Sequence, residues 1–168
     1  MKKFLSVLMM IFVISGISKA TNLAYVDMEK VMNESEKGKK YKKDLENKLS
    51  YYQNKAKELQ NKIQDLQKQL QSPALKDNVK EEKRKELRDL ARQLQSLEAQ
   101  ANEELAKMKA EAEKNMVMEI KKIAEKIAKE RNLDAIFYGG LVSGVLYASP
   151  KLDITNDVLK EYNKQKWS

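Results

Sequence analysis

The chain has 168 residues, 33 basic against 25 acidic side chains, and a formal net charge of +8. It contains neither cysteine nor histidine, which excludes a disulfide framework, Cys/His metal sites and a Ser-His-Asp triad. No G-x-x-x-x-G-K-[ST] phosphate loop occurs either, so no catalytic residue, cofactor or metal ligand is assigned and no enzymatic activity is expected.

At the N-terminus Lys2 and Lys3 precede an apolar run over residues 4–14, and Ser18-Lys19-Ala20 places small residues at both cleavage-site positions. This pattern predicts a secretory signal peptide over residues 1–20, cleaved after Ala20. Ser15, Ser18 and Lys19 close the run short of the roughly 20 apolar residues a membrane anchor needs. Cleavage removes Lys2, Lys3 and Lys19 and leaves a basic chain outside the cytoplasm, with at most peripheral membrane contact. In a bacterium with two membranes that compartment is the periplasm.

Residues 23–26 form a first candidate strand. Residues 36–131 then contain one proline, Pro73, and one glycine, Gly38, in a stretch dominated by Lys, Glu, Gln, Leu and Ala. That is the composition of long helices. Leu45, Leu49, Tyr52, Ala56, Leu59, Ile63, Leu66 and Leu70 alternate spacings of four and three, a continuous heptad seam. A second stripe runs Val79, Leu87, Leu90, Leu94, Leu97, Ala101, Leu105, Met108 and Ala112. Pro73, which lacks an amide proton and restricts its predecessor, must end the first helix or begin a turn.

If the stripes face each other in an antiparallel hairpin, residues of one layer have position numbers adding to a constant. Leu70 with Val79, Ile63 with Leu87, Ala56 with Leu94, Leu49 with Ala101 and Tyr41 with Met108 satisfy this to within one. The sequence therefore predicts two helices folding back around Ala74, with arms of about 45 Å at 1.5 Å per residue. Spacings of four at Ala101 to Leu105 and through Ala112, Met116 and Ile120 unwind the supercoil locally. Residues 80–86 are all charged, so Leu66 is expected to lack an apolar partner and the tip to be loosely held.

At the other end, Met116, Val117, Ile120, Ile123, Ala124, Ile127 and Ala128 make a stripe wider than one partner helix requires, which predicts burial on more than one side. Residues 135–138 and 145–148 are further strand candidates, joined by a turn carrying Gly139, Gly140 and Gly144. A three-stranded sheet with open edges follows. Thr155 as N-cap, Asp157 in the first turn and an Ile154 to Leu159 staple predict a last helix that packs with Val158 and Tyr162. Beyond Asn163 the tail is polar, and Trp167 receives no role.

The fold class is thus α+β, mainly α: a long antiparallel coiled-coil hairpin arm on a small β-sheet oligomerisation body. The body takes residues 21–36 and 113–168 and the arm residues 37–112, with its turn near 72–77. So small a core is marginal alone, and association at the base would cover the strand edges. The candidate oligomer core is Tyr25, Val26, Met116, Ile120, Ile123, Ile136, Phe137, Val145, Leu146 and Tyr147.

Val26-Asp27-Met28-Glu29-Lys30-Val31-Met32-Asn33-Glu34-Ser35 with Gly38-Lys39 resembles the opening of the Skp/OmpH family. Val145-Leu146-Tyr147-Ala148-Ser149-Pro150, Leu152-Asp153-Ile154-Thr155 and Val158-Leu159-Lys160 are similar to its closing strand and helix, and Leu70-Gln71-Ser72-Pro73 sits where its arm turns back. The resemblance implies a periplasmic chaperone: a homotrimer with an intersubunit β-body and three hairpins enclosing a cavity for unfolded outer-membrane β-barrel proteins. It implies no use of nucleotide. Tyr138-Gly139-Gly140 departs from the more polar turn of relatives, and no lipopolysaccharide motif maps onto this chain.

With Leu45 at heptad position d, Lys48, Lys55 and Lys62 all fall at g, opposite Gln100, Gln93 and Glu86. Only Lys62 then has an acidic partner. A basic stripe, extended by Lys37, Lys39, Lys40, Lys42 and Lys43, would attract acidic clients over a Debye length of about 8 Å. Tyr51 is placed beside the seam as an apolar contact, Tyr41 is a further candidate, and Met118 is expected in the core. The client-binding candidates are Lys39, Lys43, Lys48, Tyr51, Lys55 and Lys62. Weak contacts on several arms add through effective concentration. A structural coiled-coil spacer or tether of the envelope is the alternative reading. Nucleic-acid binding, which the charge permits, is disfavoured by export and by acids mixed through both arms.

Overall fold

A computed structural model of the protein describes residues 21–139 and 145–165. The elements in chain order are β1 (Leu23–Asp27), α1 (Met28–Glu34), α2 (Glu36–Leu70), α3 (Asp77–Arg131), β2 (Ala135–Gly139) and α4 (Thr155–Lys164). The expected leader, most of the glycine turn, and Trp167 lie outside the described residues.

Two short polar side chains punctuate the first segment. Asp27 caps α1, its Oδ1 accepting from the Lys30 amide at 2.9 Å. Ser35 ends α1, donating its N–H to Val31 O, and caps α2 by accepting from the Gly38 amide at 3.1 Å. The sequence reading missed α1, because seven residues hold too little periodicity to register. Gly38 permits the tight corner: a Cβ there would lie 1.7 Å from Met32 O.

α2 and α3 are joined by residues 71–76, which contain Pro73. They run back along each other, since Lys37 meets Glu119, Lys48 meets Glu104 and Gln69 meets Lys83, with partner numbers falling on α3 as they rise on α2. The 35 residues of α2 extend about 50 Å. The seam is mostly half-buried, as expected of two helices without a third, and Leu49 is 43% exposed.

Leu66 departs from expectation, being buried at 6% exposure. Lys83 lies across from it, half-buried, with its Nζ 2.6 Å from Gln69 Oε1. A lysine can thus lay its methylene stem over the seam and send its charge outward, so a charged run does not leave its neighbour uncovered.

α3 continues past the root of α2 into the body. There Met116, Ile120, Ile123 and Ile127 are buried with Ala24, Val26, Val31, Ile154, Val158 and Tyr162. The stripe is narrower than expected, since Val117 is 42% exposed, and Met118, separately expected in the core, is 46% exposed and is not core. β1, α1 and α4 cover one side of α3 and leave these two facing outward.

The sheet also requires correction. β1 and β2 pair in parallel, from Leu23 opposite Ala135 to Asp27 opposite Gly139. Parallel neighbours need a long crossover, and here the whole hairpin supplies it. Residues 145–148 form no third strand, with Leu146 102% and Tyr147 81% exposed. The second edge of β1 is instead taken further on, where Tyr25 N donates to Leu152 O at 2.7 Å and Ile154 N to Tyr25 O at 2.9 Å. Among the described residues nothing pairs with the outer edge of β2.

Thr155 does not cap α4. Its Oγ1 accepts from the Asp27 amide at 2.9 Å, and the Thr155 amide donates to Asp153 Oδ1 at 2.8 Å. The buried hydroxyl therefore serves β1 rather than its own helix. Val158 and Tyr162 are fully buried, as expected, though much of their helix lies against α1 and α3 rather than on the sheet alone. α3 ends on Asn132 in the left-handed region at φ 51°, a conformation asparagine tolerates, with the next amide returning to Ala128 O.

The oligomer-core candidates divide accordingly. Val26, Met116, Ile120 and Ile123 belong to the protomer's own core, while Tyr25, Ile136 and Val145 are half-buried. Phe137, at 50% exposure, Leu146 and Tyr147 are not buried within one chain.

Candidate functional site

Helical spacing puts Lys48, Tyr51, Tyr52 and Lys55 on one side of α2, since residues three, four and seven apart stack above one another. Lys48 Nζ lies 2.6 Å from Glu104 Oε1 on α3. The Tyr52 hydroxyl donates to the other oxygen, Oε2, of the same carboxylate. Glu104 thus receives two donors from α2 and clips the hairpin where Leu49 leaves the seam open. Those hydrogen bonds, from Lys48 first and then Tyr52, hold its carboxyl below the usual carboxylate range. The same bonds raise Lys48 and Tyr52 above their ordinary values.

Tyr51 points away from the seam and is 47% exposed. Its ring meets Tyr52 edge-on, with centroids 5.4 Å apart. Lys55 Nζ lies 4.6 Å from its centroid and Lys48 Nζ 5.6 Å, both within cation–π range. This arrangement brings three of the six candidate contact residues together: Lys48, Tyr51 and Lys55.

The other three stand apart. Lys39 pairs with Glu36 at 3.0 Å on the exposed root of α2. Lys43 and Lys62 are exposed on the same helix, and among the described residues no carboxylate lies within ion-pair distance of them or of Lys55. The stripe is therefore not as expected. Lys62 lacks its acidic partner, and Lys48, expected to face Gln100, has one. A lysine is long enough to reach one helical turn beyond its layer, from Gln100 to Glu104.

Sequence reasoning missed Glu104 and the polar use of Tyr52. The available signal was a glutamate four residues past the glutamine opposite Lys48. Tyr41 packs against the body, and its hydroxyl is buried without a hydrogen-bond partner. Burial first, then Glu113, raises its ionisation above the ordinary phenol value.

A second polar group locks arm to body. Lys37 Nζ contacts both Glu119 oxygens at 2.6 and 2.7 Å, and the Tyr162 hydroxyl donates to Oε2 at 2.8 Å, joining α2, α3 and α4. Arg131 pairs with Asp157 at 2.7 Å on the outer side of α4. Among the described residues no three His, Cys, Asp or Glu side chains are grouped to hold a metal ion, and no helix is long and apolar enough to cross a membrane.

The model of the OmpH family, described as outer membrane protein (OmpH-like), matches residues 22–162. A protein of Aquifex aeolicus, itself described as uncharacterized, is 38% identical over 164 residues, covering 98% of each chain. A crystal structure from Caulobacter crescentus, described as an OmpH-like outer membrane chaperone, superposes with a TM-score of 0.76 at 14% identity. That match covers 85% of this chain and 84% of the other, and at such identity it speaks to the fold.

Proposed function

The chain belongs to the OmpH-like outer membrane protein family, and from that premise we propose that it is an ATP-independent periplasmic holdase for unfolded outer-membrane β-barrel proteins. The observation that carries this reading is the α2/α3 hairpin. It reaches about 50 Å, yet it holds only Leu66 and Leu90 as buried apolar residues, while the others lie in the body at its root. A surface so little used for self-burial is available to another chain. The chaperone description of the Caulobacter relative supports the same reading.

Residues 1–20 act as the export leader, cleaved near Ala20, which delivers the chain to the periplasm. Residues 21–36 and 113–168 serve as the body and residues 37–112 as the arm. The body assembles as a homotrimer, in keeping with the resemblance. Exposed Phe137 and Tyr138 on β2, whose outer edge is open, and exposed Leu146 and Tyr147 near Tyr25 and Asp153 are surfaces that a second copy would cover. Tyr25, Ile136 and Val145 lie at the margin of this interface, over the protomer core of Val26, Met116, Ile120 and Ile123. On the arms, Lys39, Lys43, Lys48, Tyr51, Lys55 and Lys62 make weak contacts with the client. Each is short-lived, but together they hold through effective concentration. Release needs no nucleotide, only a better-bound destination.

The test is the mass of the processed protein, alone and with a urea-unfolded outer-membrane barrel, by size exclusion with light scattering. Turbidity on dilution of the barrel is followed in parallel. A trimer that forms a soluble complex and suppresses turbidity is expected. A monomer that leaves aggregation unchanged would overturn the proposal. Nucleic acid in the same salt is the control, with no complex expected.

A further inference from the structure

We infer that Glu104 stands in, on the empty arm, for a carboxylate of the client, and that the Lys48, Tyr51 and Lys55 face takes unfolded segments in which an acidic residue adjoins an aromatic one. The inference rests on the holdase reading and names the segments that reading leaves open.

Two ammonium groups approach one half-exposed ring, Lys55 at 4.6 Å and Lys48 at 5.6 Å. A carboxylate bound to either cation therefore lies next to an aromatic surface. Only one of the two places is filled: Glu104 meets Lys48 at 2.6 Å, and Lys55 has no carboxylate among the described residues. The protein itself thus displays, at Lys48, the contact that Lys55 leaves open.

Exchange at Lys48 has a low cost. The Lys48 and Glu104 side chains are 33% and 41% exposed, and exposed ion pairs are weak. When a client carboxylate takes Lys48, Glu104 keeps the hydroxyl of Tyr52 on its other oxygen and is open to solvent. No charge is stranded. The Tyr51 ring, free of the seam, then meets the neighbouring aromatic side chain of the client. A segment with only an acid, or only a ring, gains one contact of the two.

The processed full-length protein is titrated into labelled peptides of one flexible background carrying Glu-Phe, Gln-Phe or Glu-Ser pairs, read by fluorescence anisotropy. Glu-Phe should bind tightest, and Lys55→Gln, which leaves only the Lys48 place that Glu104 contests, should sharply reduce its advantage over Gln-Phe. Glu104→Gln should raise affinity for Glu-Phe by roughly two- to fivefold, the scale of a released surface ion pair, and leave Gln-Phe unchanged. Equal binding of the three peptides would overturn the inference. So would a Glu104→Gln gain that extends to Gln-Phe, because that reports a loosened arm. Lys55→Gln breaks no ion pair within the chain and remains decisive if Glu104→Gln loses helicity. The same preparations are tested on the unfolded barrel. Holding without peptide discrimination refutes this inference alone, whereas failure of the unaltered protein to hold refutes the holdase reading as well.

Discussion

Replacing Gly38 by alanine sets two effects of opposite sign against each other. At an open helix position, glycine to alanine stabilises by about 1 kcal/mol, because alanine loses less backbone entropy. At the corner between α1 and α2, the added Cβ falls 1.7 Å from Met32 O and 2.9 Å from Met32 C, both backbone atoms, and 3.1 Å from Ser35 Oγ. A side chain could swing aside, but the end of α1 must move as a unit. Overpacking of this kind costs about 1–3 kcal/mol. The shift also strains the 3.1 Å cap from Ser35 to the Gly38 amide, worth about 1 kcal/mol. The balance is a loss of about 2 kcal/mol. Urea unfolding followed by far-UV circular dichroism, at one protein concentration, reads it directly, with exposed Lys39→Ala as the neighbour expected to change little. An unchanged or raised midpoint for Gly38→Ala would refute the close approach on which the argument stands.

Three further outcomes are expected. Tyr162→Phe removes a donor to a charged acceptor, but Glu119 keeps Lys37, so the loss should sit near the low end for such bonds, about 1.5 kcal/mol by the same denaturation. Burial, then the hydrogen bond and charge of Glu119, raise the Tyr162 ionisation, so this tyrosine stabilises below the ordinary phenol range. That contribution is lost as pH rises through the range and beyond, and Tyr162→Phe should flatten the alkaline decline in thermal midpoint. Glu104 behaves in the opposite sense. Its folded ionisation is depressed, so its contribution is present above the ordinary carboxylate range and is lost as pH falls through that range and below it. The gap in thermal midpoint between the native chain and Glu104→Gln should therefore close in acid, and a gap of constant size would exclude the clip as its source.

Helices α2 and α3 were legible in the chain because their signal is local and repeated: heptad spacing over many turns, with Pro73 as the one proline or glycine between Tyr41 and Ala112. The weaker signals failed where several side chains compete for one place. Thr155 has the residue type and position of a cap, but the Asp27 amide needed a buried acceptor and took its hydroxyl. Residues 145–148 have strand composition, but the edge of β1 went to residues 152–154, which composition does not single out. Val117 and Met118 share the apolar character of their buried neighbours, and only the placement of α1 and α4 turns them outward.

Residue order by itself determined where the two long helices run, where they reverse, and that the long ribbon is basic and amphipathic, because each of these depends on neighbours within a few turns. Tertiary structure alone decided which cations keep their charge free. Lys48 loses its freedom to Glu104, fifty-six positions away in the chain, while Lys55 on the next two turns does not. Such pairing is set by side-chain reach across two packed helices, and a layer-by-layer register resolves positions but not the extra turn that a long side chain can span.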